Sequence, residues 1–241
     1  MKTFSENHKK YYNFLSRLAL FKGVGEEDLN ILLRAIQIRQ YYRGEMVTFN
    51  SKEHANCYVV YDGLFKITKI DKSGNEAIIK IVHKRDTVLP MYFSKHYDIC
   101  AEFVRKTTLL YFDKCIIDEF SFKNHQFMLN IVNLLAEDLQ SLMLSVESLQ
   151  LKTAKEKVGQ YLVRTKVDGT FKLPCSYSLI ASYLGMRPES FSRALVELKQ
   201  EGVVLKNKSI TLEKGDDLCQ YCDKVTASNC ASFKSKECLH N

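Results

Sequence analysis

The 241-residue chain is 46% hydrophobic and 26% charged, the balance of one large or two modest folded domains, which excludes wholesale disorder. Its formal net charge of +7 favours anionic partners such as nucleic acid, and twelve Lys and Arg against six Asp and Glu between Leu151 and Gly215 put most of that excess in one quarter of the chain. Met1 to Lys10 is polar and basic with no signal-type apolar stretch, and no run approaches ~20 apolar residues, so a cytoplasmic protein without a membrane segment is expected.

In chain order, Asp28 to Ile38 carries Leu29, Leu32, Leu33 and Ile36 at helical spacing and predicts a short helix. Short strands follow at Met46–Asn50, Cys57–Tyr61, Leu64–Ile70, Glu76–His83 and Thr107–Phe112, rich in β-branched and aromatic residues. Asp62-Gly63 and Lys72-Ser73-Gly74-Asn75 supply turns between them, and many short antiparallel strands suggest a barrel or sandwich. The strands hold no His-x-His or related metal spacing, and the chain has no Gly-rich phosphate loop and no convincing nucleophile–base pair, which argues against an enzyme.

One long helix is expected from about Asn124 to Leu151. Met128, Ile131, Leu135, Leu139, Leu142, Val146 and Leu149 step by 3, 4, 4, 3, 4 and 3, close to the 3.5-residue repeat of a two-stranded coiled coil. A core helix packed on its own domain is the alternative. However, Phe127, Val132, Leu134 and Met143 lie off the seam, leaving enough apolar surface for both its own domain and a partner chain. Ile131, Leu135, Leu139, Leu142, Val146 and Leu149 are the dimerisation candidates.

Thr153-Ala154-Lys155-Glu156 has capping-box form and opens a new helix. Further on, a short helix from about Ser176 to Leu184, a Gly185-Met186-Arg187 turn and a second helix from Pro188 to about Glu201 form a helix-turn-helix, with Gly202 as the stop. In the second helix, Phe191, Ala194, Leu195 and Leu198 share one face, while Glu189, Ser192 and Arg193 stand on another near its N-terminus. A recognition helix inserts those N-terminal residues into the major groove: Arg193 can donate twice to guanine, Glu189 can accept from cytosine, and Ser192 can meet several bases. The competing reading is a surface Glu189–Arg193 pair worth only ~0.3–0.5 kcal/mol. Arg187 and Ser190 join the DNA-binding set, and Val203 to Leu212 forms a hairpin wing whose Lys206 and Lys208 would reach phosphates.

These residues resemble the Crp/Fnr family of bacterial regulators from roughly Leu18 to Leu212. The resemblance begins at Leu20-Phe21, Glu26-Glu27-Asp28-Leu29 and Tyr42-Arg43-Gly44-Glu45, continues through Tyr58-Val59-Val60-Tyr61-Asp62-Gly63, and is strongest over Leu184 to Arg193. The Glu-Ser-x-Ser-Arg core is similar to the Fnr and Dnr branches. That implies base reading by Glu189, Ser192 and Arg193 on palindromic double-stranded DNA with TTGAT-like half-sites one helical turn apart, by a homodimer that meets RNA polymerase. The implied architecture is α+β, with an antiparallel, cupin-like β-roll sensor (1–122), a dimerisation helix (123–152), a winged helix-turn-helix (153–214) and a cysteine-rich tail (215–241). Cyclic-nucleotide-binding relatives carry Gly-Glu and then Arg-Ser or Arg-Thr around the phosphate, where this chain has Leu89-Pro90 and Ile99-Cys100. Apolar side chains cannot replace a phosphate's lost hydration, so no cAMP binding is expected. The amino-terminal cysteine set of typical Fnr proteins is missing, since Cys57 is the first cysteine.

Eight cysteines are present, and Cys219, Cys222, Cys230 and Cys238 crowd the tail. Cys219 and Cys222 can put two thiolates of one tight turn on the same metal, and Cys230 and Cys238 can complete four ligands. A [4Fe–4S] cluster sensing oxygen or nitric oxide, structural zinc, or a tail without metal all remain open on spacing alone. Haem in the β-domain is a further possibility suggested by the Dnr resemblance, with His54, His83, His96 and His125 as candidates that belong to no motif.

Overall fold

The structure, a computed structural model, describes residues 4–48, 56–89, 99–165, 170–173, 175–201, 203–206, 209–212 and 218–228. Contacts divide the chain into two units, Met1–Leu142 and Met143–Asn241.

In the first unit, α1 (Phe4–Leu15), a 3-10 turn (Ala19–Phe21) and α2 (Glu26–Arg34) precede eight strands. These are β1 (Gln37–Tyr41), β2 (Met46–Thr48), β3 (Cys57–Asp62), β4 (Leu64–Ile70), β5 (Glu76–His83), β6 (Thr87–Val88), β7 (Cys100–Phe103) and β8 (Thr107–Phe112). They form two antiparallel four-stranded sheets, ordered β1-β8-β3-β6 and β2-β7-β4-β5. Successive side chains of a strand point to opposite faces, so β3 and β8 each feed two cores. Tyr58, Val60, Leu109 and Tyr111 join Phe65, Ile67, Val82 and Phe103 inside the roll. Cys57, Val59, Leu110 and Phe112 instead meet Leu15, Leu29, Leu32 and Phe127 from the helices.

The turn between β3 and β4 depends on Gly63. Its φ is +121°, and a Cβ there would stand 2.3 Å from Thr107 Oγ1, so only glycine fits.

The expected helix over Asp28–Ile38 is corrected at its end. The helix stops at Arg34, and Ile38 instead pairs with Leu110 across β1 and β8. The sheet edge offers Ile38 a strand partner, and that outweighs a helical spacing that would have continued through Ile36. Two further helices close the first unit: α3 (Lys114–Lys123), whose cap Asp113 accepts from Cys115 N–H at 2.8 Å, and the start of α4 (His125–Leu151). Asn124 separates them, and its Oδ1 accepts from Phe127 N–H at 2.9 Å.

Over its first turns α4 buries Phe127, Asn130 and Ile131, and Asn130 ties the helix down by donating to Leu20 and Lys22 carbonyls at 2.9 and 2.8 Å. Beyond them the apolar residues Leu139, Leu142, Met143, Val146, Leu149 and Leu151 are exposed. An 18-residue stretch of α4 reaches a mean hydropathy of 1.2, long and apolar enough to cross a membrane, a run not anticipated from the sequence. Glu137 and Asp138 interrupt it, and Asp138 accepts a bond from Lys80 at 2.6 Å, so the apolar residues form a stripe suited to a second helix.

The second unit carries α5 (Ala154–Arg164), β9 (Thr170–Lys172), α6 (Tyr177–Tyr183), α7 (Pro188–Lys199), β10 (Val203–Lys206) and β11 (Ser209–Leu212). The three strands pair in the order β10-β11-β9, so the wing hairpin gains a third strand that the sequence did not announce. Val158, Leu162, Ile180, Ala181, Phe191, Leu195, Leu198 and Val203 form its core. Past the wing come a 3-10 turn (Cys219–Tyr221) and α8 (Lys224–Ser228).

Candidate nucleic-acid interface and cysteine turn

Each boundary around the two helices has a local cause. Thr153 and Glu156 close a capping box: Thr153 N–H donates to Glu156 Oε2 at 2.8 Å and Glu156 N–H to Thr153 Oγ1 at 3.4 Å. Ser176 Oγ accepts from Leu179 N–H at 3.3 Å and starts α6. Gly185, with φ +64°, turns the chain, and its missing Cβ leaves room for Leu149, whose Cδ2 would otherwise be 2.7 Å away. Arg187 is extended (φ −74°, ψ 147°) and Pro188 occupies the first helical position of α7, where no amide proton is needed.

Four buried residues, Phe191, Ala194, Leu195 and Leu198, hold α7 in the core. That fixes which way the other face points. Glu189, Ser192 and Arg193 are exposed, Arg187 is exposed just before them, and Ser190 is half-buried. Elsewhere charges four apart on a helix do pair, as Lys114–Asp118 and Lys123–Glu119 do, but among the described residues no ion pair joins Glu189 to Arg193. An unpaired guanidinium, carboxylate and hydroxyl on one outward stripe retain their donors and acceptors for base edges. Val196, 57% exposed, continues the stripe by another turn. The sequence reading passed over it, although its seven-residue step from Glu189 could have found it. Lys206 ends β10, paired with Ser209, while Lys208 lies outside the described residues.

The dimerisation candidates divide along α4. Ile131 is buried and Leu135 partly buried in the first unit's core, so both serve their own chain in this structure. Leu139, Leu142, Val146 and Leu149 are exposed.

In the tail, Leu218 is buried in the second unit's core and the Tyr221 ring packs against it. The Tyr221 ring sits on Gly159 of α5, where a Cβ would be 2.5 Å from its Cγ. Burial and the Glu201 carboxylate push the Tyr221 hydroxyl up to about 12. Asp223 caps α8, accepting from Thr226 N–H at 2.8 Å, and also accepts from Gln160 Nε2 at 3.0 Å and faces Arg164 Nε at 3.4 Å. Burial works to raise its carboxyl, but these bonds overcome that and hold it below the ordinary range.

Cys219 and Cys222 bracket one turn closed by a Cys222 N–H to Cys219 carbonyl bond of 3.0 Å, and both are half-buried. Cys222 opens on a cleft of about 340 Å³ lined also by Lys152, Thr153, Lys155, Glu156, Gln220 and Tyr221. Two soft donors on one tight turn, beside such a cleft, fit a thiolate-bound metal centre as two of its ligands. Cys230 and Cys238 lie outside the described residues, and among the described residues no three His, Cys, Asp or Glu side chains gather as a metal set. Of the histidines, His83 faces Asp86 at 3.6 Å and His125 opens α4, while His54 and His96 lie outside the described residues.

Inside the roll, Ile99 is buried and Tyr58, Phe65, Phe103 and Tyr111 fill the interior, while Leu89 is buried in the other core, against the helices. Pro90 lies outside the described residues.

The helix-turn-helix and the fold are similar to those of known proteins. Residues 156–221 match the Crp-like helix-turn-helix domain. The chain is 25% identical to the nitrogen fixation regulation protein FixK of Bradyrhizobium diazoefficiens over 71% of its own length and 79% of that protein. It is 23% identical to the transcriptional activator protein anr of Pseudomonas aeruginosa, over 85% and 88% of the two chains. The solved structure of FixK2 from Bradyrhizobium japonicum has the same fold, with a TM-score of 0.68 at 22% identity, covering 78% of this chain and 98% of that one.

Proposed function

We propose that this chain is a transcription regulator of the Crp/Fnr type, which reads a palindromic DNA duplex as a homodimer and takes its signal from a thiolate-bound metal centre in the C-terminal segment. The observation that carries the DNA reading is the face of α7 opposite its buried residues, where Glu189, Ser192 and Arg193 stand exposed and unpaired among the described residues. On a half-site resembling TTGAT, Arg193 donates to guanine, Glu189 accepts from a base amino group, and Ser192 adjusts to its neighbour. Arg187, Ser190, Lys206 and Lys208 contact the phosphates and set the register. Fluorescence anisotropy on a duplex with two such half-sites one helical turn apart tests this. Arg193→Ala should weaken binding by ~1–3 kcal/mol and relax preference at the contacted guanine. Unchanged affinity and unchanged base preference would remove this helix from the recognition role.

Homodimerisation rests on the exposed stripe Leu139, Leu142, Val146 and Leu149. We expect no cAMP recognition, because Ile99, buried inside the roll, and Leu89, buried against the helices, are apolar and offer a phosphate no donor. RNA polymerase is the further partner such a regulator would meet.

Cys219 and Cys222, with Cys230 and Cys238, are the ligands we assign to the metal centre. An iron–sulfur cluster bound there would supply reactivity toward oxygen or nitric oxide, whereas zinc would supply a clip without redox chemistry. Anaerobic purification should give broad absorption near ~400 nm with matching iron and sulfide, abolished in Cys219→Ser. Zinc without iron would make the centre structural, and neither metal would return the signal to the β-roll.

A further inference from the structure

Glu201 follows α7 by two residues, and its carboxylate binds side chains from two other elements. Lys155 of α5 donates to Oε1 at 2.8 Å, while Tyr221 OH and Gln220 Nε2 donate to Oε2 at 2.7 and 3.1 Å. Gln220 and Tyr221 are the two residues between Cys219 and Cys222. One carboxylate therefore joins the end of the recognition helix, the first turn of α5 and the interior of the cysteine turn.

The turn itself is gripped on both flanks. Leu218 before it is buried in the second unit's core, and Asp223 after it is bonded by Gln160 and Arg164 of α5. The Tyr221 ring lies on Gly159 with no room for one added carbon. A centre that draws two thiolates together fixes the backbone between them, and here that backbone carries the two side chains that hold Glu201. The same cleft that Cys222 opens on is walled by Lys155 and Tyr221, so whatever occupies it touches the junction.

We propose that Tyr221 and Glu201 are the positioning residues that couple the state of the Cys219 and Cys222 thiols to the recognition helix, ligation holding the end of α7 in place and loss of ligation loosening it. This rests on reading the turn as a metal site, and it supplies the route by which that site would govern DNA binding. Tyr221→Phe keeps the ring on Gly159 and removes the hydroxyl, with its bond to Glu201 and its interaction with Lys155 at the same junction.

The test is amide hydrogen exchange on the full chain with cobalt(II) as the metal probe, its thiolate absorption reporting ligation independently. In the parent chain, cobalt should slow exchange at Val196–Glu201 and in the first turn of α5 at least ~10-fold. Tyr221→Phe should show the same thiolate absorption while losing that protection. Equal protection in Tyr221→Phe would overturn the coupling even though the metal site stood. Absence of thiolate absorption in the parent chain would instead overturn the metal site. Alkylation with iodoacetamide, with a Cys219→Ser, Cys222→Ser chain alkylated in parallel to subtract the effect of the other thiols, then reads the coupling: it should speed exchange at Val196–Glu201 in the parent chain and leave Tyr221→Phe unmoved. No change in the parent chain would overturn the coupling there too.

Discussion

Gly159 stands in the middle of α5, where glycine is a poor choice on helix propensity, and its reason for being there lies far along the chain. Alanine would gain ~0.5–1 kcal/mol for the helix. Its Cβ would also sit 2.5 Å from Tyr221 Cγ, and forcing a carbon into a packed contact costs ~1–3 kcal/mol. Overpacking is the larger effect, so Gly159→Ala should lower the melting temperature by several degrees. A raised melting temperature would mean that Tyr221 leaves α5 at little cost and that the tail is loosely held. At this scale the sequence was uneven as a guide. Glu189, Ser192 and Arg193 were legible because helical spacing alone separates them from Phe191, Ala194 and Leu195. The Gly159–Tyr221 and Glu201–Tyr221 contacts were not, since nothing in either stretch announces a partner that distant.

Elements were legible where the pattern is local and illegible where a neighbour decides. The runs read as Leu64–Ile70, Glu76–His83 and Thr107–Phe112 are strands with those bounds, because turn residues delimit each one. The capping box at Thr153 and the proline at the start of α7 likewise fixed helix starts from a few residues. α1 escaped notice because its start is polar and basic, and its buried face, marked by Tyr11 and Leu15 four apart, falls in its last turns. α3 could have been found from Asp113 as a cap with Ile117 and Phe120 three apart. β7 is four residues long and takes its place by pairing with β2 and β4, which spacing cannot reveal. Along α4 the heptad seam was legible as one stripe. The structure divides it in two, since Ile131 and Leu135 pack in the first unit's core while Leu139, Leu142, Val146 and Leu149 are exposed. A repeat states that a helix has an apolar side without stating whose core that side enters.

The charge distribution gives the whole molecule a measurable signature. Of the formal net charge of +7, the stretch from Leu151 to Gly215 holds twelve cationic and six anionic side chains, so the excess lies with the helix-turn-helix and wing. Neutralising DNA phosphates releases counterions, and log affinity then falls with log salt at a slope of about −0.9 per phosphate. A dimer on a palindrome engages two half-sites and so has about twice the slope of a single unit. Charge placed on the α4 stripe separates these cases: Leu142→Glu with Val146→Glu adds two carboxylates at exposed positions, leaving each chain's own cores untouched. The double variant should sediment as a monomer, keep its helical circular dichroism, and bind the palindromic duplex with roughly half the parent's salt slope. Losing affinity at an unchanged slope would mean that both half-sites are still engaged and that the stripe is not the dimer seam. Monomeric behaviour in the parent chain, with the same slope as the variant, would mean that one unit alone reads the DNA and that the two-fold arrangement must be abandoned.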